Sequence, residues 1–141
     1  MQLDSGEFMG RKRILIADNN AEMRQRVEDL LRGEFEVVGS AADGQQALDA
    51  ALRLNPDVLV TDISMPFIDG MQLTDCLRNS SCNTRVIFLT VHEDKDFVDA
   101  TFAIGAFGYV IKARLNEDLI LAVEAACENR KFVSPFPATH M

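Results

Sequence analysis

The sequence predicts an α/β fold: a parallel β-sheet with helices on both faces. Two observations lead there. Five short apolar runs alternate along the chain with five stretches of helical periodicity. The runs are near-continuous rather than alternately polar, as strands buried on both faces must be.

The first run, Arg13-Ile14-Leu15-Ile16-Ala17, ends at Asp18. Asn20 suits a helix N-cap, and Met23, Val27, Leu30 and Leu31 follow at helical spacing, with Gly33 as the expected stop. Phe35 to Ser40 reads as the second strand. Asp43-Gly44 reads as a turn, and Ala47, Leu48, Ala51 and Leu52 mark a helix that ends before Pro56. The third strand, Asp57 to Thr61, delivers Asp62 at its end; the following helix carries Met71, Leu73, Thr74 and Leu77. Arg85 to Leu89 is the fourth strand, ending at Thr90, and a helix from about Asp94 to Ile104 carries Phe97, Val98 and Phe102. Gly108 to Ile111 is the fifth strand, ending at Lys112. The last helix is expected from about Asn116 to Glu128; Asn116-Glu117-Asp118 places acids in its first turn, where the helix dipole favours them.

Composition narrows the function. A chain of 141 residues with 48% hydrophobic residues can bury the core of one domain. The formal charge of −8 and pI near 4.7 oppose phosphate backbones, so direct nucleic-acid binding is not expected. No apolar run reaches the length of a membrane span and no signal peptide is visible, so a cytoplasmic location is expected. Cys76, Cys82 and Cys127 show neither metal-type spacing nor a disulfide framework. Residues 1–10 read as a leader, 11–131 as the domain, and 132–141 as a tail or linker start, because Pro135 and Pro137 interrupt regular structure.

In parallel sheets ligands bind at the carboxyl ends of the strands. Asp18, Asp62, Thr90 and Lys112 all fall at such ends. One sheet edge thus gathers two carboxylates, a hydroxyl and an ammonium. Hard oxygen donors suit Mg²⁺, a lysine suits a phosphoryl oxygen, and the set suits phosphoryl transfer. Singly, each residue has an ordinary explanation: a helix cap, a turn residue, a β-branched strand residue, a solvated charge. Their coincidence at four of five strand ends does not.

The stretches ILIADN, DVLVTDISMPFIDG, VIFLT and GAFGYVIK resemble the signature segments of response-regulator receiver domains, and the resemblance spans about residues 13–130. It implies a flavodoxin-like, doubly wound (βα)5 fold with strand order 2-1-3-4-5. It implies that Asp62 accepts phosphate from a sensor histidine kinase. Asp18, Asn19, Asp62 and the Ser64 carbonyl would hold Mg²⁺. Thr90 and Tyr109 match the switch pair, Lys112 the phosphate-binding lysine, and His92 a variable position that influences dephosphorylation. Phosphorylation would turn Tyr109 inward and alter self-association or the docking of an output domain. The segment AVEAACENRKFVSP resembles the end of receivers that precede a LuxR-type helix-turn-helix, so the expected output is transcriptional, with a homodimer as a further candidate assembly. Beyond its own phosphorylation and dephosphorylation, such a domain is not an enzyme.

There are two departures from the pattern. The acid pair usual after the first strand is Asp18-Asn19 here, which predicts weakened metal binding. Lys112 is followed by Ala113 rather than proline, which predicts a trans bond. Asn19 also supports a rival reading, a pseudo-receiver that binds proteins without phosphorylation. A Mg²⁺-dependent phosphatase of another α/β family would need a general acid where Ser64 stands. A flavin-binding protein would need a phosphate-cradling loop where Asn19-Asn20-Ala21-Glu22 stands.

Overall fold

The computed structural model describes residues 10–135 of the chain. The alternation read from sequence becomes β1 (Arg13–Ala17), α1 (Ala21–Leu31), β2 (Glu36–Ala41), α2 (Gly44–Leu54), β3 (Val58–Thr61), α3 (Gly70–Asn79), β4 (Arg85–Thr90), α4 (Lys95–Ala103), β5 (Gly108–Ile111), a 3-10 turn (Lys112–Arg114) and α5 (Leu115–Cys127). A sixth strand, β6 (Phe132–Val133), follows. The sheet runs β2-β1-β3-β4-β5-β6 with every pair parallel. The flavodoxin-like order 2-1-3-4-5 is present, with one strand added at its edge.

Period-two alternation divides the strands between two cores. Ile14, Ile16, Val58, Val60, Ile87, Leu89 and Val110 face α1 and α5. Leu15, Leu59, Phe88, Tyr109 and Ile111 face the other way, onto Ala47 and Ala51 of α2, Leu73 and Leu77 of α3 and Val98 of α4. Phe97 and Phe102 pack against this second core and Phe107 against the first.

Helix starts follow the capping residues. Asn20, Asp43, Asp69 and Asp94 each accept a backbone N–H of the first turn. Asp43, expected in a turn, is therefore the N-cap of α2. Asp69 and Gln72 form a reciprocal capping box. The C-cap of α1 is Arg32, and Gly33 follows it directly, without the left-handed φ common at that position. The last helix begins at Leu115, one residue earlier than expected, because the 3-10 turn leads directly into it.

Within residues 132–141, expected as a tail or linker start, Phe132 and Val133 pair with Gly108 and Tyr109. Ser134 is 2% exposed and donates its N–H to the Tyr109 carbonyl at 2.9 Å. Pro135 breaks the ladder only after the pairing is complete. Residues 1–9 of the leader assigned to residues 1–10, and the segment 136–141 with Pro137, lie outside the described residues.

Asp118 lies in the first turn of α5, as expected, and has a further role there. It is 3% exposed and accepts hydrogen bonds from Ser134 Oγ (2.7 Å), Arg114 Nε (2.8 Å) and Arg114 Nη2 (3.2 Å). Burial pushes its carboxyl up, but the hydrogen bonds and the guanidinium charge outweigh burial and hold it below the ordinary value.

Candidate functional site

Each strand of the sheet centre delivers one group to the same edge. Asp18 follows β1, Asp62 follows β3, Thr90 closes β4 and Lys112 follows β5. The Lys112 ammonium lies 3.1 Å from Asp18 Oδ2 and 3.2 Å from Asp62 Oδ2. All three side chains are largely buried, at 18%, 2% and 13% exposure for Lys112, Asp18 and Asp62. One cation thus bridges two carboxylates away from bulk water, where charge interactions are stronger than at the surface.

The remaining carboxylate oxygens are assigned. Asp62 Oδ1 accepts the Ile63 N–H at 2.7 Å, which turns Oδ2 toward Lys112. Asp18 Oδ1 accepts the Asn20 N–H at 2.8 Å. Asp18 Oδ2 is buried and, among the described residues, accepts no hydrogen bond; the ammonium beside it is an electrostatic partner. Such an atom suits a second positive charge. Asn19 and Ser64 are exposed at the same edge. Asp18, Asn19, Asp62 and the Ser64 carbonyl offer only oxygen, the donor type that Mg²⁺ takes. Among the described residues, no group of three or more acidic, histidine or cysteine side chains is placed to hold a metal.

The sequence reading missed Arg24. Its Nη1 donates to the Asp18 carbonyl at 2.6 Å and ties α1 to the end of β1. Its position four residues after the Asn20 cap, on the turn facing the loop, was the available signal.

The loop after Asp62 is held by two close approaches. A Cβ on Gly70 would stand 2.5 Å from the Asp62 carbonyl oxygen, and one on Gly44 would stand 1.8 Å from that of Ile68. Between them Phe67 takes a left-handed φ of 72° and is 83% exposed. The spacing Asp62-x-x-Met65-Pro66-x-x-Asp69-Gly70 therefore has a mechanical content: the capping box starts α3 and the glycine lets it abut the Asp62 backbone.

Thr90, Tyr109 and His92 form a second group. Thr90 Oγ1 accepts the His92 N–H at 3.1 Å, and the Tyr109 hydroxyl donates to the His92 carbonyl at 2.9 Å. Tyr109 is fully buried. The His92 ring is stacked on Phe97, with centroids 4.4 Å apart. The Lys112–Ala113 bond is trans, as are all peptide bonds of the described residues.

Burial pushes the Tyr109 hydroxyl from 10.0 up to about 12, with the Asp94 charge adding to it and the Thr90 hydroxyl opposing it. The folded state keeps this proton while the unfolded state loses it. Stability present below the unfolded value is therefore lost as pH rises from 10.0 toward about 12. Tyr109 is the sole tyrosine and tryptophan is absent, so phenolate absorbance reports this group alone. Spectrophotometric titration is expected to show ionisation above the ordinary value in the folded protein and at it in denaturant. Coincident titrations would contradict the burial argument.

Comparison with known proteins decides the family. The chain matches the response regulator receiver domain family over residues 14–124. The chain belongs to that family. Among curated relatives of this receiver, the transcriptional regulatory protein DegU of Brevibacillus brevis is 32% identical over 124 residues, covering 86% of this chain and 52% of the relative. The oxygen regulatory protein NreC of Staphylococcus epidermidis is 35% identical over 124 residues, covering 86% and 57%. The chain thus spans little more than half the length of these relatives. Among solved structures, a LuxR-family two-component response regulator from Aurantimonas superposes with a TM-score of 0.84 at 30% identity, covering 89% of this chain and 91% of that one. The receiver domain of the putative response regulator NarL from Mycobacterium tuberculosis gives 0.81 at 30% identity, covering 85% and 98%. The receiver is thus related to NarL- and LuxR-type regulators. Receiver domains signal to an output and are not enzymes in the ordinary sense. None of the described helices is long and apolar enough to cross a membrane.

Proposed function

We propose that this receiver accepts a phosphoryl group on Asp62 from a sensor histidine kinase and passes the signal to an output domain. The observation that supports it best is the Lys112 ammonium within 3.2 Å of both Asp18 and Asp62 at the strand ends. Asp62 Oδ2 is the nucleophile, because Oδ1 is occupied by the Ile63 N–H. It forms the new P–O bond as the P–N bond to the donor histidine breaks, and the histidine nitrogen takes the electron pair. Lys112 then moves from the carboxylate to a phosphoryl oxygen, and the Thr90 hydroxyl turns to donate to another. Asp18, Asn19, Asp62 and the Ser64 carbonyl would hold Mg²⁺, whose charge offsets that of the incoming dianion. Incubation with acetyl phosphate, with and without Mg²⁺, tests the reading: one phosphoryl group should be added, and only with the divalent ion.

Asn19 sets the strength of that metal site. Replacing the amide with a carboxylate adds a unit charge near a divalent ion, an interaction of several kcal/mol at an effective dielectric near 20 that desolvation largely offsets. Asn19→Asp is expected to tighten Mg²⁺ binding by about tenfold. Clustered like charge will cost some stability in the metal-free protein. Calorimetric titration showing equal affinity would remove Asn19 from the metal's donors.

His92 overlooks the phosphorylation site from beyond Thr90. Its backbone serves the Thr90–Tyr109 pair and its ring stacks on Phe97. His92→Ala keeps the backbone contacts and removes the ring. It is expected to change the decay rate of the phosphoprotein. Equal lifetimes would exclude the ring from dephosphorylation.

For output, the bistable element is the face formed by α4, β5 and α5, which carries Tyr109 on β5 and adjoins Thr90 at the end of β4. Its partner is the output domain of a longer regulator, DNA-binding in character, or a second receiver in a homodimer. The domain itself, at a net charge of −8, does not bind nucleic acid in this reading.

A further inference from the structure

The phosphate-binding Lys112 sits in a frame that the sequence motifs do not mention. Immediately before it, the Ile111 N–H donates to Ser134 Oγ at 3.0 Å. Ser134 Oγ donates to Asp118 Oδ2 at 2.7 Å. Two residues after Lys112, Arg114 binds the same carboxylate, with Nε 2.8 Å from Oδ2 and Nη2 3.2 Å from Oδ1. Both flanks of the turn that carries Lys112 are thus tied to Asp118, one directly and one through Ser134. Ser134 and Asp118 are 2% and 3% exposed, so water does not compete for the bonds that link Ile111, Ser134 and Asp118.

A lysine side chain is long and flexible. Its ammonium can be held between two carboxylates only if its backbone origin is fixed. We propose that Ser134 and Asp118 are positioning residues for Lys112. They set the point from which its ammonium reaches the phosphoryl group. Ser134 lies just beyond β6, so a pull on residues 132–135 is felt at the phosphorylation site, and the reverse coupling holds by linkage. The inference rests on the phosphoacceptor role proposed for Asp62.

The test measures phosphorylation rate against acetyl phosphate concentration, with Mg²⁺ in excess. Wild type, Ser134→Ala, Asp118→Asn and Leu31→Val are compared at a temperature where circular dichroism shows all four folded. Leu31 is a core residue at the far end of α1 and serves as the control for lost stability. Loosening Lys112 weakens capture of the phosphoryl group, so Ser134→Ala and Asp118→Asn should each raise the half-saturating concentration by roughly fivefold to tenfold. Leu31→Val should leave it unchanged. The Lys112 ammonium resonance in nitrogen-15 spectra should shift or broaden in the first two variants only. Half-saturation within about twofold of wild type in both frame variants would overturn the inference, as would an equal rise in Leu31→Val. A wild-type protein that takes up no phosphate would instead overturn the phosphoacceptor reading beneath it.

Discussion

Asp62→Asn is expected to abolish phosphorylation. Intact-mass analysis after incubation with acetyl phosphate and Mg²⁺ should show one added phosphoryl group on the wild type and none on the variant. The amide keeps the shape of the carboxylate and can still accept the Ile63 N–H at Oδ1. What it loses is the charged oxygen that faces Lys112 at 3.2 Å. An amide is a poor nucleophile, and no neighbour can stand in for it. Asp18 is the other carboxylate on Lys112, but its side chain is only 2% exposed. The variant should stay folded, because the loss of one partner leaves Lys112 paired with Asp18. Phosphate uptake by Asp62→Asn equal to that of wild type would refute the assignment of the nucleophile.

Gly70→Ala should have a large effect on folding at the candidate site. An added methyl would lie 2.5 Å from the Asp62 carbonyl oxygen, 2.9 Å from Phe88 Cε1 and 3.0 Å from Ile63 Cα. Two of these contacts are with backbone, which cannot rotate away. Gly70 also donates its N–H to the Ile63 carbonyl at 2.7 Å, so α3 cannot retreat without breaking that bond. Overpacking of this kind costs about 1–3 kcal/mol, and contact with backbone on two sides puts this case near the upper end. Denaturant unfolding is the check. Relief of the clash would displace Asp62 itself, so phosphorylation should fall together with stability. Unchanged stability would show that the loop yields without strain, and would remove the mechanical account of the Asp-Gly end of the motif.

The sheet and the polar cluster at its carboxyl edge were legible because both are written in short-range patterns. Continuous apolar runs identify strands buried on both faces, and the residue ending each run lands at the carboxyl edge. Asp18, Asp62, Thr90 and Lys112 could therefore be grouped before any contact was known. The frame behind Lys112 was not legible, because it is made of residues whose ordinary roles are solvent-facing. Asp118 fits the acidic first turn of a helix, and Ser134 beside Pro135 fits a linker. Only the pairing of Phe132 and Val133 with β5 brings Ser134 over Asp118, and a two-residue strand carries no periodic signal. Arg24 was missed for a similar reason: an arginine on a helix usually faces water, and here it reaches back to the Asp18 carbonyl. The inward Tyr109 depends on one acceptor, the His92 carbonyl, which sequence patterns do not locate.

Reductive trapping tests the central claim most directly. Borohydride reduces an acyl phosphate on aspartate to homoserine, which is stable to digestion and sequencing by mass spectrometry. The protein is phosphorylated by acetyl phosphate with Mg²⁺, reduced, and mapped by peptide. Homoserine at position 62 alone is the expected result. Homoserine at position 18, or a phosphorylated protein that yields none, would contradict the account.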